Sequence, residues 1–161
     1  MNDIPPIGET VFTMSVSLTA ISKARPRAAK GGHFYTPKRT RDYERAIREA
    51  ADVFVTGPPV DFPVTLDVNI IHPTPVSWPK WKAAAAVQNF LFPSRGDLDN
   101  KIKAISDALN GIAYLDDVQI CKLSGAMTYG EQELVQVTVT RAGYSLSEVR
   151  DYYERANSSS T

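Results

Sequence analysis

The sequence has little sulfur and no long apolar run. Its one cysteine, Cys121, excludes an intramolecular disulfide and leaves no cysteine pair for a metal site. Cys121 reads as a small buried residue on a strand rather than a nucleophile. The two histidines, His33 and His72, do not stand at ligand spacing, and His72, at the end of a strand-like run, reads as structural. No stretch approaches the roughly 18 to 20 apolar residues of a membrane span. The first residues lack a basic region followed by an apolar core, so no secretory leader is expected and cytoplasmic residence is the simplest expectation. A glycine-rich phosphate loop is missing as well, since Gly31-Gly32 has neither partner spacing nor strand context. Net charge is also absent: 18 Lys and Arg balance 18 Asp and Glu. What is there is ordinary for a globular chain, with 161 residues, 43% of them hydrophobic, and no internal repeat. That length can bury one core and suits a single domain.

Neutrality hides an asymmetry. From Lys23 to Arg48 there are nine Lys or Arg and only two acids, Asp42 and Glu44, a local excess of seven positive charges. Such density favours phosphate contacts. Around it the patterning alternates between strand and helix periods. Residues 1–10, with Pro5-Pro6, read as a flexible lead-in. Val11 to Leu18 alternates, with Phe12, Met14, Val16 and Leu18 facing one way. Thr40 is placed to cap a helix whose stripe is Tyr43, Ile47, Ala50 and Phe54, ended by Gly57-Pro58-Pro59. Val64 to Ile71 alternates again. Residues 73–95, punctuated by proline, read as an insertion with a short helix over Lys82 to Phe90; Trp78 and Trp81 are expected to pack. Val118 to Leu123 and Leu134 to Thr140 read as a final antiparallel pair joined by Gly125 to Gly130. Ser145-Leu146-Ser147-Glu148 fits a capping box before a short helix, with a disordered tail from Asn157. The order predicts an α+β domain, a mixed sheet of four or five strands packed by two main helices. Its expected bounds are 11–144, with 145–161 as a terminal helix and tail.

The acids concentrate elsewhere. Leu98, Ile102, Ile105 and Leu109 form the stripe of a helix about three turns long. Asp97 or Asp99 suits its N-cap and Gly111 its stop. If Asp97 is still extended, both carboxylates project from one strand–helix corner. Asp116-Asp117 follows, before an apparent strand opening. Successive strand side chains face opposite ways, so one of the two is expected to join Asp97 and Asp99. Converging carboxylates call for a hard cation, and Mg²⁺ suits oxygen ligands beside substrate phosphate. The plain alternative is a capped helix and a solvated turn.

The run Asp97-Leu98-Asp99-Asn100, Lys103, Asp107-Ala108-Leu109-Asn110-Gly111 and Asp116-Asp117-Val118-Gln119-Ile120 resembles the signature of the RusA family of Holliday junction endonucleases. Upstream, Lys23-Ala24-Arg25-Pro26-Arg27, Tyr35-Thr36-Pro37 and Tyr43-Glu44 resemble its basic segment and first helix, and Val76-Ser77-Trp78-Pro79-Lys80 a segment many members carry. The likeness covers roughly residues 12 to 140.

The resemblance implies a RusA-like fold, a homodimer, and a phage or prophage enzyme of the bacterial cytoplasm. The implied activity is Mg²⁺-dependent resolution of four-way junctions by paired symmetric nicks, with Mn²⁺ able to substitute and no organic cofactor. By the same resemblance Asp97, Asp99 and Asp117 are the metal-binding catalytic acids, with Asp116 as neighbour. Lys103 matches the motif lysine and would stabilise charge on the phosphate or leaving oxygen. Arg25, Arg27, Lys30, Lys38, Arg39 and, more weakly, Lys101 are the expected DNA contacts. Two rival readings remain: a non-catalytic structure-selective DNA-binding protein, and a metal nuclease acting on other branched or duplex DNA.

Overall fold

The computed structural model describes residues 6–24, 27–28, 31, 34–94 and 96–158. In chain order its elements are β1 (Thr10–Val16), β2 (Arg27–Ala28), β3 (Phe34–Tyr35), α1 (Lys38–Phe54), β4 (Val64–Pro73), α2 (Lys80–Val87), α3 (Leu98–Ala108), a 3-10 turn (Asp117–Gln119), β5 (Ile120–Gly130), β6 (Leu134–Arg141) and α4 (Leu146–Ser158). Four strands make one mixed sheet in the order β1-β6-β4-β5, and β2 and β3 form a separate two-stranded ribbon. This is the expected single α+β domain.

Alternation builds the sheet. Phe12, Met14, Val64, Leu66, Val68, Ile70, Val135, Val137 and Val139 are all buried, and α1 and α3 pack over them with Tyr43, Ile47, Ile102, Ile105 and Leu109. The other face is polar, where Asn69 meets Gln136 at 3.2 Å and Thr13 meets Thr138 at 3.0 Å. A sheet buried on one face needs this clean period of two.

Several expectations are corrected. The final two strands do not pair with each other: β5 runs parallel to β4, while β6 lies antiparallel between β4 and β1. The reason is burial. Every second residue of β6 is enclosed, which an interior position supplies, whereas β5 holds an edge with Cys121 to Ala126 exposed. Cys121 is thus an exposed edge residue, not a buried one. Gly125 to Gly130 is strand, not connection, and residues 131–133 make the turn. Helix α1 starts at Lys38, so Thr40 lies buried inside it and accepts from the Ala24 N–H at 3.4 Å. Its buried stripe ends on Ala51, not Ala50, leaving Phe54 exposed. Helix α2 starts at Lys80, two residues before the expected helix. Residues 8 and 9 are not a loose lead-in, because Gly8 and Glu9 exchange backbone hydrogen bonds with Arg141, each at 2.8 Å. The Ser145–Glu148 capping box forms, and α4 continues through Asn157.

One row of the sheet positions α3. Met14, Val137, Val68 and Gly125 are successive partners across all four strands. A Cβ on Gly125 would stand 2.2 Å from Ile102 Cδ1. The missing side chain lets α3 settle onto the edge strand, which is how glycine inside a strand usually earns its place.

Candidate active site

Helix α3 begins at a corner shaped for exposure of its acids. Asp97 holds the N-cap position with extended backbone (φ −97°, ψ 103°), yet its carboxylate makes no capping hydrogen bond. It accepts instead from the Asn100 side-chain amide at 2.5 Å. A hydrogen bond with the Asp99 carboxyl, then that from Asn100, holds Asp97 below the usual carboxylate range. Two neighbouring carboxylates, both ionised, repel, and a cation between them relieves this. Asp97 thus holds the cap position, while its closest hydrogen bond comes from the Asn100 side chain.

Asp97 and Asp99 line a cleft of about 770 Å³ together with Lys103 and Ser106. Its apolar lining comes from Leu98 and Ile102 of α3 and Ile120 and Leu123 of β5. Lys103 makes no ion pair with an acid among the described residues, so its charge is available to a ligand. Two hard oxygen donors next to a free cation fit Mg²⁺ with a phosphate, because Mg²⁺ usually takes one or two carboxylates and keeps water or substrate oxygens in its other positions.

The second acid pair lies apart from this lining. Asp116 and Asp117 are not on a strand, so the alternation expected of them does not apply. Asp116 opens the 3-10 turn, and its N–H donates to Gln119 Oε1 at 3.0 Å. Gln119 Nε2 in turn donates to the carbonyls of Val60 and Phe62, both at 2.9 Å. Among the described residues no three His, Cys, Asp or Glu side chains converge on a metal position. Burial, and then the Asp117 charge, raise the Tyr114 phenol, whose hydroxyl donates at 2.8 Å to the carbonyl of Ser106.

The lysines two residues apart on α3 have opposite surroundings. Lys101, expected as a DNA contact, is only 6% exposed. Its ammonium meets His72 Nε2 at 3.2 Å and Met127 Sδ at 3.5 Å. His72 Nδ1 faces Glu133 at 3.4 Å, and Glu133 accepts from the Thr19 hydroxyl at 2.8 Å. With its Nδ1 proton directed at the carboxylate, His72 presents Nε2 as the acceptor Lys101 needs. Burial lowers Lys101, opposed by Glu133; burial and then Lys101 lower His72. This chain runs under the Gly96 turn, where φ is +102° and an added Cβ would lie 2.8 Å from Lys101 Nζ. The network supports the Asp97 corner from below. No local pattern announced it, because His72 comes from β4 and Glu133 from the turn between β5 and β6.

The basic segment is partly spent on the fold. Lys23 pairs with Asp107 and, at 3.6 Å, with Glu44, while its N–H donates to the Asn100 carbonyl at 3.1 Å. Arg48 caps the α3 C-terminus through the carbonyls of Ala108 and Asn110 at 3.1 and 3.0 Å. Lys38 pairs with Asp42 at 2.7 Å on an exposed helix face. Arg27 and Arg39 are exposed. Arg25 and Lys30 lie outside the described residues. The Lys23–Asn100 bond brings the start of the basic segment beside the first turn of α3, next to the acid pair.

Comparison with known proteins points the same way. The family model described as Endodeoxyribonuclease RusA matches residues 18–140. An uncharacterized protein of Bacillus subtilis (strain 168), YqaN, is 30% identical over 130 residues, spanning 74% of this chain and 88% of its own length.

Proposed function

The chain belongs to the RusA family of endodeoxyribonucleases, and from that premise we infer that it resolves four-way DNA junctions in a Mg²⁺-dependent reaction. The observation that carries the reading is the Asp97–Asp99 pair, which lines the same cleft as Lys103. Asp97 and Asp99 would hold the cation. When bound, it would polarise the scissile phosphate and lower the pKa of the attacking water.

The chain's own groups do the rest. The carboxylates give the corner a negative charge, and a bound cation would compensate it. Lys103 is placed to stabilise charge on the phosphate or leaving oxygen. Asp117 is assigned as the third acid on its match to the family motif, with Asp116 as its neighbour. Arg27 and Arg39 supply phosphate contacts that position the strand without reading its sequence; Arg25 and Lys30 join them by sequence. Lys101 is reassigned from DNA contact to support of the corner. A homodimer would bring two such corners to the two strands that symmetric resolution must cut. No helix is long and apolar enough to cross a membrane.

The test is cleavage of a labelled four-way junction against a linear duplex of the same sequence, in Mg²⁺ and in EDTA. Paired, symmetric, Mg²⁺-dependent cuts confined to the junction are expected. Cuts in both substrates would make it a less selective nuclease, and binding without cutting in Mg²⁺ or Mn²⁺ would reduce the acids to features of the fold.

A further inference from the structure

Between β4 and α3 the chain passes through residues 74–94, a segment with Lys80 and Lys82 but no acid, and with the aromatics Trp78, Trp81, Phe90 and Phe92. Trp78 is used internally. Its ring meets Tyr129 of β5 edge-on, with centroids 5.2 Å apart, and Lys82 Nζ stands 4.1 Å over it. The other three rings face water, at 72% exposure for Trp81, 75% for Phe90 and 60% for Phe92. The expectation that both tryptophans pack is therefore half wrong.

These rings sit on ordered backbone. Helix α2 closes in a Schellman turn, with Asn89 at φ 63°, its N–H donating to the Ala86 carbonyl and that of Phe90 to the Ala85 carbonyl, both at 3.0 Å. Trp81 in the first turn and Phe90 just past the last are set on one compact unit whose Ala86 is fully buried. Pro93 and Ser94 then border a second cavity of about 590 Å³ with His72, Trp78 and Tyr129. Three residues beyond Ser94 the chain reaches Asp97. The three exposed rings, an aromatic wall in the sense that one short segment carries them, are thus neighbours of the acid corner in sequence, and the same segment borders His72 of the Lys101 support.

We propose that this wall stacks unpaired bases of the DNA strand presented to the acid corner. Flat rings beside lysines, with no anion among them, complement a strand that offers base faces and phosphates together. A continuous duplex keeps its base faces stacked; a branch point or a single strand exposes them. The wall would therefore add selectivity for branched over linear DNA. The inference rests on the endonuclease reading for the identity of its ligand as DNA, and on the exposed rings for the mode of binding.

The test is binding by the full chain in EDTA, where the metal-dependent reaction is silent. The probes are oligothymidylate, a four-way junction with 2-aminopurine at the branch, and a linear duplex. Oligothymidylate is expected to quench tryptophan emission more than the duplex does. The double variant Trp81→Ala, Phe90→Ala should weaken oligothymidylate and junction binding at least about fivefold while leaving duplex binding unchanged. Trp81→Phe, which keeps a ring, should retain most of the affinity, and unchanged thermal unfolding would show that the fold is intact. Wild-type affinity of the double variant for all three probes would overturn the proposal. So would a change in oligomeric state with DNA binding unaltered, which would make the wall a contact between copies. Because no cleavage is read, a protein that stacks bases but does not cut junctions would leave this inference standing and remove only the resolvase reading.

Discussion

Two acid pairs stand at two helix starts in this chain, and the fold treats them differently. Asp116 sits in a turn closed on itself, its N–H bound by Gln119 and that glutamine tied to Val60 and Phe62. Asp97 stands at the start of a longer helix, and its closest hydrogen bond comes from a side chain, that of Asn100. Its carboxylate lies against Asp99 and Asn100 and opens on the cleft. The difference teaches that a capping position does not by itself fix what a carboxylate faces. Side-chain partners decide, and here they leave the first pair available for chemistry while the second pair's backbone is engaged in holding a turn.

The strongest way to break this comparison is Asp99→Asn, which removes a charge at nearly constant shape. Junction cleavage should fall by at least about 100-fold while junction binding in EDTA survives; cleavage at the wild-type rate would remove the pair from the site. Separate substitutions then sharpen the second pair. Asp117→Asn should match Asp99→Asn in the same gel assay, whereas Asp116→Asn should keep most activity. If Asp117→Asn cuts normally, the second pair belongs to the turn alone.

The two lysines of α3 offer a smaller, orthogonal contrast. Lys103→Met should lower the cleavage rate without moving the melting temperature, as its side chain has no ion pair among the described residues. Lys101→Met should instead act on stability, by about 1 to 2 kcal/mol, because it strips the donor from His72 Nε2. Thermal unfolding and single-turnover rates of the two variants, side by side, would show whether support and chemistry separate this way.

The smallest expected effect lies far from the corner. Arg141, nearly buried, reaches Glu148 at 2.5 Å, and this contact holds the Glu148 carboxyl below its ordinary range. A carboxyl so depressed stabilises the fold at neutral pH and loses that contribution as pH falls through its folded value. Wild-type stability should therefore drop more steeply below about pH 4.3 than that of Glu148→Gln. Parallel pH profiles of the melting temperature would mean that the pair does not stabilise the attachment of α4.

Much of the scaffold could be read before any coordinates. The stripe Leu98, Ile102, Ile105, Leu109 and the alternation through β1, β4 and β6 are periodic over a few residues, and periodicity follows from local backbone geometry. Glycines misled at β5, where Gly125 reads as a breaker but makes room for Ile102. Trp81 reads as a packing residue because large rings usually are, and nothing nearby in sequence says that its neighbour Trp78 has already taken the partner on β5.

The division follows from the range of the forces. By itself the amino-acid order determined α1, α3 and the alternating strands β1, β4 and β6, the α+β class and the placement of Asp97 and Asp99 at a helix start, since each depends on spacing along a short segment. Only the tertiary structure decided that β6 enters between β1 and β4, that Lys101 turns inward to His72 while Lys103 faces the cleft, and that Asp116 and Asp117 stand on a turn apart from the first pair. Each of these is settled by a partner distant in the chain, through burial and hydrogen bonds that exist only once the sheet has assembled.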